Sequence, residues 1–438
     1  MNVAFSALLN HERHLADRPS PLLADGTRLG DLIDFDKREV KMRVLSDPQV
    51  HRMELERIFA RSWLIVGHVS EIPKSGDYVK RWIGEDQVLV TRGRNGAVNV
   101  LLNACAHRGM ELCRTDQGNQ PNFKCPYHGW VFDHAGNLLG APFEKEMYGG
   151  WDKSQYKLTK AQVAIRHGVI FGAFRPICDL DEWLGEFAWY FDAMYGSVEM
   201  EVDGVFIGDF RLPANWKAVA EQNVGDNYHG VTLHNGLIEM GFPDWDLQTY
   251  GASSYDGHGL RFSKLDDGHF LPVEGNMAKT SNEEDSFPVS CGIAGSLFPH
   301  GAIGGQVVRT PDGPDSVGEK NGIWKMMLGG VAPDGPGAVR NWGLNLVQKS
   351  LPTELKGEMV GAGAMGVVVG ADDLEAWPSI TRAAQGVLGG EQPLRYNTLL
   401  GPNNPDNFPG PLMYHGVSKD DIQWNFWLRW YDMMTIEL

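Results

Sequence analysis

Two short cysteine–histidine pairs constrain this chain more than any other feature of its sequence. Cys105 precedes His107, and Cys125 precedes His128 after seventeen residues that separate the pairs. Two thiolates can bind one iron of a two-iron two-sulfur (2Fe-2S) cluster and two neutral imidazoles the other, and imidazole ligands raise the potential of such a cluster. The spacing therefore predicts a 2Fe-2S site that accepts and passes one electron at a time.

A structural zinc site is the main alternative for these residues, because Cys and His in paired loops are also zinc ligands. The second ligand pair of a zinc finger usually lies on a helix. Here Arg108-Gly109 and Gly129-Trp130 directly follow the two pairs, and Pro126 stands inside the second pair. These residues favour two loop tips, so we expect an iron–sulfur cluster rather than zinc.

The residues around both pairs carry a family resemblance. The stretch from NACAHRGMELC through FKCPYHGWVF closely resembles the Rieske domain of aromatic-ring-hydroxylating oxygenases. The resemblance extends over nearly the whole chain and is strongest for the naphthalene-, biphenyl- and polycyclic-type large subunits. It implies an α+β protein with an N-terminal all-β Rieske domain and a C-terminal catalytic domain of helix-grip (START-like) type, in which helices pack on an antiparallel sheet.

Composition and charge limit the classes of protein to which this chain can belong. With 438 residues, 42% of them apolar, the chain is long enough for two domains with sizeable cores. The formal net charge of −17 disfavours nucleic acid and anionic membranes as partners. We find no run of eighteen apolar residues and no signal-peptide core, so we expect no membrane span and a cytoplasmic protein. Cys113, Cys178 and Cys291 lack the spacing of a disulfide framework and are expected to be free thiols.

The first half of the chain predicts a helix followed by a small β-rich domain. Ser46-Asp47-Pro48 is typical of a helix start, and apolar residues at helical spacing predict a helix over 47–62. Apolar runs and turn signals then predict strands over 77–92, 98–102 and 129–132. We expect an N-terminal segment at 1–45 that packs on the catalytic domain, a Rieske domain at 46–160 and a catalytic domain at 161–438.

The second half mixes strand-like and helix-like segments. Strands are predicted at 203–212, 324–331 and 339–348, a helix beginning in 351–362, a loop over 401–413 and a terminal helix over 423–431. The stretch 215–234 predicts a helix with an unusual number of polar residues on an element that should be partly buried. Such a helix is a candidate for a second redox site.

His229 and His234 on this helix are candidate ligands of a mononuclear iron. Two imidazoles and a remote carboxylate form a facial triad that leaves open positions on ferrous iron. The two histidines are five residues apart, about 140° around an ideal helix, so they reach one ion only where the helix is distorted. Gly230 and Val231 favour a distortion between them. Paired histidines on a helix are more often ordinary surface or core residues, and the cluster motif is what makes the metal role the favoured interpretation.

The pattern D-x-Y-H-x4-H resembles the mononuclear iron motif of the ring-hydroxylating oxygenase large subunits. The resemblance implies that His229 and His234 bind Fe(II) together with a carboxylate far downstream. A segment that ends in Asp372-Asp373 resembles the source of this carboxylate, and Asp373 falls at the ligand position. The next residues, Leu374 to Trp377, depart from the family pattern, so Asp372 remains an alternative ligand.

Asp226 is expected to orient His229. The two side chains lie near each other on a helix at a spacing of three residues, and the carboxylate can accept a hydrogen bond from the imidazole N–H that does not bind metal. The resemblance implies a further catalytic role, in which Asp226 of one subunit bonds His128 of the next and links the two iron sites. A role confined to orienting His229 is the alternative.

Gln222 and Asn223 are candidate residues of the substrate pocket. Both match a part of the family helix that faces iron and substrate. Asn223 stands where an aromatic residue is common in hydrocarbon-oxidising relatives, which makes a purely hydrocarbon substrate less expected.

The resemblance implies a terminal oxygenase component. Such a component uses O2 and electrons relayed from NADH through a reductase and a ferredoxin to convert an aromatic ring into a cis-dihydrodiol. Its large subunits form trimers, alone (α3) or with small β-subunits (an α3β3 hexamer). A Rieske monooxygenase and an aromatic-acid or heteroaromatic dioxygenase share the same ligands and remain alternatives. An electron-transfer protein without a working mononuclear iron is the alternative from a different functional class.

Overall fold

A computed structural model gives the fold of the chain as two compact units. One unit comprises residues 59–180, and the other combines residues 1–58 with 181–438. The structure describes residues 11–196, 198–226, 228–234, 250–262, 270–272, 286–288, 293–308, 323–350, 360–396, 413–415 and 420–437. Within these ranges, no helix is long and apolar enough to span a bilayer.

The smaller unit, all of which is described, is built on two antiparallel sheets. The larger sheet has the strand order Leu64–His68, Val169–Ala173, Lys160–Arg166, Val98–Leu102, Asp86–Arg92, Asp77–Ile83 and Gln117–Asn119. The smaller sheet has the order Leu138–Gly140, Val131–Phe132 and Phe123–Lys124. Gly84, with a φ of 59°, lies in the tight turn that joins two paired strands of the larger sheet. The β-rich domain predicted from the sequence is thus confirmed.

One apolar cluster in this unit includes both cysteines of the Cys–His pairs. Its members are Tyr78, Leu89, Leu101, Cys105, Leu112, Cys113, Phe123, Cys125, Trp130, Phe132, Leu138 and Leu158. None of these side chains is more than 7% exposed. The packing that stabilises the unit therefore also fixes the bases of the two loops.

The boundaries of the smaller unit lie downstream of the expected 46–160. The strands Lys160–Arg166 and Val169–Ala173 pair with earlier strands and complete the larger sheet, so both belong to this unit. At the other end, the helix Pro48–Glu54 belongs to the larger unit, where Glu54 is fully buried. Sequence periodicity shows that a segment is a strand, but it does not show which partner strand the segment will join.

The helix predicted over 47–62 begins at Pro48. Asp47 caps it, because its side chain accepts hydrogen bonds from the backbone N–H groups of Gln49 and Val50. Regular α geometry ends at Glu54, and a wider π turn continues through Leu55–Phe59.

The larger unit contains an antiparallel sheet with eight strands among the described residues. Their order is Met200–Leu212, Val339–Gln348, Ile323–Pro333, Gly301–Val308, Ile293–Leu297, Gly259–Phe262, Tyr250–Ser253 and Met413–His415. Three helices matter most below: the site helix (Trp216–Asn223), the long helix (Val360–Gln385) and the terminal helix (Asp421–Thr435). The larger unit combines helices with an antiparallel sheet and the smaller unit is rich in β-strands, which confirms the expected α+β class.

The remaining elements are short. Helices lie at Glu144–Tyr148, Leu180–Leu184, Ala188–Tyr195, Gly230–Leu233 and Val387–Gly390. Small antiparallel sheets join Ile33–Asp34, Glu39–Lys41 and Pro393–Arg395, and Phe270–Pro272 with Ser286–Pro288. Three parts of the predictions lie outside the described residues: residues 401–412 of the loop predicted over 401–413, residues 351–359 of the predicted helix, and Cys291. Met413, the last residue of the predicted loop, begins the strand Met413–His415.

Candidate metal centres

The two Cys–His loops share one backbone geometry. In each loop the cysteine N–H donates to the carbonyl five residues later, at 2.9 Å for Cys105 and 2.8 Å for Cys125. The glycine four residues after each cysteine donates back to the cysteine carbonyl, at 2.8 Å for Gly109 and 3.0 Å for Gly129. Both glycines have positive φ angles, 72° and 75°, which glycine adopts without strain. The chain therefore presents two matched loop tips.

The four predicted cluster residues lie on these loops. The ring centroids of His107 and His128 are 4.6 Å apart, and the side chains of Cys105 and Cys125 interact directly. Nδ1 of His107 is buried and has no hydrogen-bond partner among the described residues. Burial, reinforced by the second thiol, raises the pKa of Cys105 to about 11, and a metal ligand must be a thiolate, so metal binding would release this proton. Two buried sulfurs and two neighbouring imidazoles fit a 2Fe-2S cluster.

Asn103 and Trp130 support the loops. Oδ1 of Asn103 accepts the backbone N–H groups of Leu112 and Cys113, each at 3.0 Å, and its Nδ2 donates to the Cys113 carbonyl at 2.9 Å. Trp130 stacks on the His107 ring, with 4.7 Å between centroids and 6° between planes. Sequence reasoning did not single out Asn103, whose only signal was its place two residues before Cys105.

A buried ion pair anchors the site helix in the larger unit. Oε1 of Glu54 accepts hydrogen bonds from Nζ of Lys217 and from the Trp430 indole, both at 2.7 Å. Oε2 of Glu54 accepts from the Trp216 indole at 2.8 Å. All four residues have no exposed surface, and the donors satisfy both carboxylate oxygens. Glu54 thereby holds the site helix against the helix Pro48–Glu54 and the terminal helix.

The predicted single helix over 215–234 is broken in the structure. Regular helix ends at Asn223 and resumes only at Gly230–Leu233. Between them, Oδ1 of Asp226 accepts the backbone N–H of Tyr228 at 2.8 Å, so this side chain starts the second helical turn. An aspartate that bonds its own backbone competes with continued helix, and this competition accounts for the break.

His229, His234 and Asp373 converge after this break. Oδ1 of Asp373 lies 3.7 Å from Nε2 of His229 and 3.5 Å from Nε2 of His234. His234 is 1% and Asp373 8% exposed. The expected distortion at Gly230 and Val231 does not occur, because both residues lie within the helix Gly230–Leu233. The helix ends instead just before His234, which has φ −98° and ψ 24°, and this change of backbone direction brings the two rings together. The carboxylate in this group is that of Asp373; the side chain of Asp372 lies outside the described part of the structure.

Asp226 contacts the opposite side of the His229 ring. Its Oδ2 lies 3.0 Å from Nδ1 of His229, while Nε2 of that ring points at the convergent group.

Glu221, on the site helix, is close to the carboxylate of Asp226. Burial, followed by the charge of Asp226, raises the pKa of Glu221 to about 8, and a hydrogen bond with Tyr396 partly opposes the shift.

Gln222 is buried next to the three convergent side chains. Its Nε2 donates to Oδ1 of Asp373 at 2.7 Å, and its Oε1 accepts from the Trp377 indole at 2.8 Å. Asn223 follows it on the site helix and is half-buried. Sequence reasoning noted Trp377 only as a departure from the family pattern. The available signal was its place four residues after Asp373, which puts both residues on one face of a helix.

The convergent group suits a mononuclear metal. Its three donor atoms lie within 4.8 Å of one another. Two imidazoles with one carboxylate match the donor set of ferrous centres that keep open coordination positions. Nδ1 of His229 lies 3.0 Å from the carboxylate of Asp226, and a carboxylate in this place commonly fixes the tautomer of a metal-binding histidine.

Comparison with known proteins places both centres in one family. The Rieske [2Fe-2S] domain model matches residues 62–159. The chain is 32% identical to the biphenyl 2,3-dioxygenase subunit alpha of Rhodococcus jostii (strain RHA1), across 97% of this chain and 94% of that protein. It is 31% identical to the N,N-dimethyl phenylurea N-demethylase subunit alpha of Sphingobium sp. (strain YBL2), across 95% and 97%. The solved structure of naphthalene 1,2-dioxygenase from Rhodococcus sp. bound to indole matches with a TM-score of 0.78 and 31% identity, across 91% of this chain and 94% of that chain.

These similarities span nearly the full length of the chain and include both candidate centres. The chain therefore belongs to the α subunits of the Rieske non-heme iron aromatic-ring-hydroxylating dioxygenases, terminal oxygenases with a Rieske 2Fe-2S cluster and a mononuclear iron.

Proposed function

We propose that this chain receives electrons from NADH through a reductase and a ferredoxin, and uses O2 to convert a small aromatic substrate into a cis-dihydrodiol. The observation that carries the proposal is the convergence of His229, His234 and Asp373 in a chain that also has two matched Cys–His loops. An electron carrier needs only the loops. A chain with both features can accept electrons at one centre and use them at the other.

Within the cluster, Cys105 and Cys125 bind one iron, and His107 and His128 bind the other. The two cysteines are 2–3% exposed, whereas both imidazoles are half-buried on the loop tips. Tyr127, next to His128, is 61% exposed. The imidazole side of a cluster held by these residues would therefore be the side nearest to the electron donor and acceptor.

At the second centre, His229, His234 and Asp373 bind Fe(II). The bound ion would supply open coordination positions for dioxygen. The burial of His234 and Asp373 limits the access of bulk water. Oδ2 of Asp226 lies 3.0 Å from Nδ1 of His229, and a proton kept on that nitrogen would leave the lone pair of Nε2 for the metal.

Asp226 also links the two centres across a subunit interface. Its side chain is 25% exposed although it adjoins a buried group, and Tyr228 beside it is 65% exposed. These residues lead from the iron site to the surface of the chain, where the His128 side of a neighbouring subunit's cluster would dock. This role requires a trimer of α subunits, either α3 alone or an α3β3 hexamer with small β-subunits, and we place this assembly in the cytoplasm, where NADH is available.

A monooxygenase is the second candidate. The full-length similarity to an N-demethylase α subunit favours it. The family resemblance of the site helix also favours it, because Asn223 stands where an aromatic residue is common in hydrocarbon-oxidising relatives. An amide at this position can hydrogen-bond a heteroatom of the substrate. The candidate substrates are then N-methylated aryl compounds or ring systems with a polar substituent.

A metal count under anaerobic conditions tests the two-centre proposal. We expect about three irons and two acid-labile sulfides per chain, with a Rieske-type electron paramagnetic resonance signal after dithionite reduction. About two irons that ferrous ion cannot raise to three would leave an electron carrier. Zinc without that signal would exclude the cluster.

Isotope labelling then separates the two reactions. The protein, supplied with a ferredoxin and a reductase, is incubated with naphthalene or N,N-dimethyl phenylurea under ¹⁸O-labelled dioxygen. Two labels in a ring diol support dioxygenation. Formaldehyde release without a diol supports the monooxygenase.

A further inference from the structure

Trp377 reaches the metal centre through Gln222. It lies on the long helix four residues after Asp373, and the two side chains are 7% and 8% exposed. Residues at this spacing share a helix face, so Trp377 and Asp373 both point to the site helix, where Gln222 lies between them. Gln222 is also buried, with 8% of its surface exposed.

The chemistry of the indole decides how the Gln222 amide is oriented. An indole N–H can donate a hydrogen bond but cannot accept one. The amide atom 2.8 Å from Nε1 of Trp377 must therefore be the oxygen, Oε1. The amide nitrogen then faces the other way, 2.7 Å from Oδ1 of Asp373 and 3.3 Å from Nε2 of His229.

The reversed amide is strongly disfavoured. Rotation by half a turn would set the amide oxygen against the Asp373 carboxylate and the amide N–H groups against the indole N–H. Two hydrogen bonds between buried groups would give way to two repulsive contacts. Trp377 thus selects one of the two orientations of Gln222.

We propose that Trp377 is a positioning residue of the metal centre, which holds Gln222 as a hydrogen-bond donor to Asp373 and prevents the amide oxygen from binding the metal. This inference rests on the proposed metal-binding role of His229, His234 and Asp373. Oδ1 of Asp373, the atom that receives the amide N–H, is also the atom nearest both histidines. A donor fixed on that oxygen orients the carboxylate toward the metal. If the amide were reversed, its oxygen could bind the metal as a fourth protein ligand. It would then fill a coordination position that the reaction needs open.

The test measures the affinity of Co²⁺ for protein that has lost its mononuclear metal to a chelator but keeps its cluster. The proteins are the wild type, Trp377→Phe, Gln222→Leu and the double variant. We expect Trp377→Phe to weaken Co²⁺ binding about 10-fold and Gln222→Leu about 10- to 100-fold. Because Trp377 acts through Gln222, the double variant should bind like Gln222→Leu alone. A merely structural role of Trp377 would instead weaken binding equally with and without Gln222.

Two control variants separate this inference from the proposed function. His229→Ala removes a proposed ligand and should abolish Co²⁺ binding. Trp63→Phe removes a comparable indole donor in the smaller unit, where Nε1 of Trp63 bonds the Cys178 carbonyl at 3.0 Å, and should leave Co²⁺ affinity unchanged. If His229→Ala binds like the wild type, the metal site itself is assigned wrongly. If His229→Ala loses binding but Trp377→Phe stays within about twofold of the wild type, only the role of Trp377 is wrong.

Urea denaturation followed by far-ultraviolet circular dichroism reports whether each variant keeps the fold of the larger unit. Should Trp377→Phe fail to fold, Gln222→Met is tested in its place, because it retains the length of the side chain and removes the donor. Co²⁺ affinity at least about 10-fold weaker supports the inference. Unchanged affinity overturns it, since Trp377 cannot act through an amide that does not orient Asp373.

Discussion

Oδ2 of Asp226 lies 3.0 Å from Nδ1 of His229, and the other oxygen of the same carboxylate accepts the backbone N–H of Tyr228 at 2.8 Å. One side chain thus starts the helical turn that carries His229 and also contacts the ring nitrogen turned away from the metal centre. Local folding and the orientation of a proposed metal ligand thus involve the same carboxylate. Variants of Asp226 must therefore separate its charge from its capping role.

Replacing Asp226 tests its place in the reaction. We expect Asp226→Ala and Asp226→Asn to keep the cluster and most of the mononuclear iron, and to lower product formation by about 100-fold or more, because neither variant has the charge proposed to orient His229 and to link the centres. Iron content and turnover with a saturating ferredoxin are the measurements. The amide in Asp226→Asn can still cap the turn, so normal turnover in this variant would refute the linking role.

Replacing His107 tests the cluster. His107→Ala should bleach the visible spectrum and remove the Rieske-type resonance, because one iron loses half of its protein ligands. Cys113→Ala is the matched control, since Cys113 is also a buried residue of the same core and lies outside the two pairs. Loss of the cluster in both variants would point to damage of the core rather than loss of a ligand.

Local patterns in the sequence were sufficient to propose the four cluster residues and the two candidate histidine ligands. In the Cys–His pairs and in the segment from Asp226 to His234, the candidate ligands lie within a few residues of one another. Their spacing is therefore a local pattern that can be compared with known metal sites. The paired strands over 77–92 are similar, because a turn and alternating residues specify a hairpin locally. Only resemblance to a family could select Asp373, which lies far from the histidines in the chain.

Contacts between distant residues could not be predicted. Trp377 and Gln222 are 155 positions apart, and no periodicity relates an indole on one helix to an amide on another. Glu54 and Lys217, 163 positions apart, pair only because tertiary packing buries both. The break at Asp226 was missed for a different reason: a helical pattern was assumed to continue where a side chain competes for the backbone.

Removal of the buried charge at Glu54 should destabilise the larger unit. Glu54→Gln leaves the fully buried ammonium of Lys217 without its counter-charge, and we expect a loss of about 3–5 kcal/mol in the free energy of unfolding. Glu56→Gln is the control, because Glu56 pairs with Arg52 at an exposed site and should cost less than about 1 kcal/mol. Urea denaturation of both variants makes the comparison, and equal losses would contradict the anchoring role.

Asn223 should influence the choice of substrate. Asn223→Phe replaces an amide with the type of residue that is common in hydrocarbon-oxidising relatives. We expect it to shift the ratio of kcat/KM for naphthalene over N,N-dimethyl phenylurea by about 10-fold in favour of naphthalene, because an apolar wall leaves a polar substituent without a partner. Asn223→Leu, which is apolar but not aromatic, shows whether polarity or ring stacking is responsible. An unchanged ratio in both variants would place Asn223 outside the pocket.

Glu221 should make stability depend on pH. Burial and the Asp226 charge raise the pKa of its carboxyl to about 8, far above that of a carboxyl in the unfolded chain, about 4.3. The folded state thus holds this proton more tightly, and the associated stability is complete below about pH 4.3 and is lost as pH rises to about 8. In metal-depleted protein, we expect the wild type to lose up to about 5 kcal/mol across this window relative to Glu221→Gln, which stays neutral throughout. Urea midpoints for both proteins at several pH values give the measurement, and parallel profiles would show that Glu221 ionises normally.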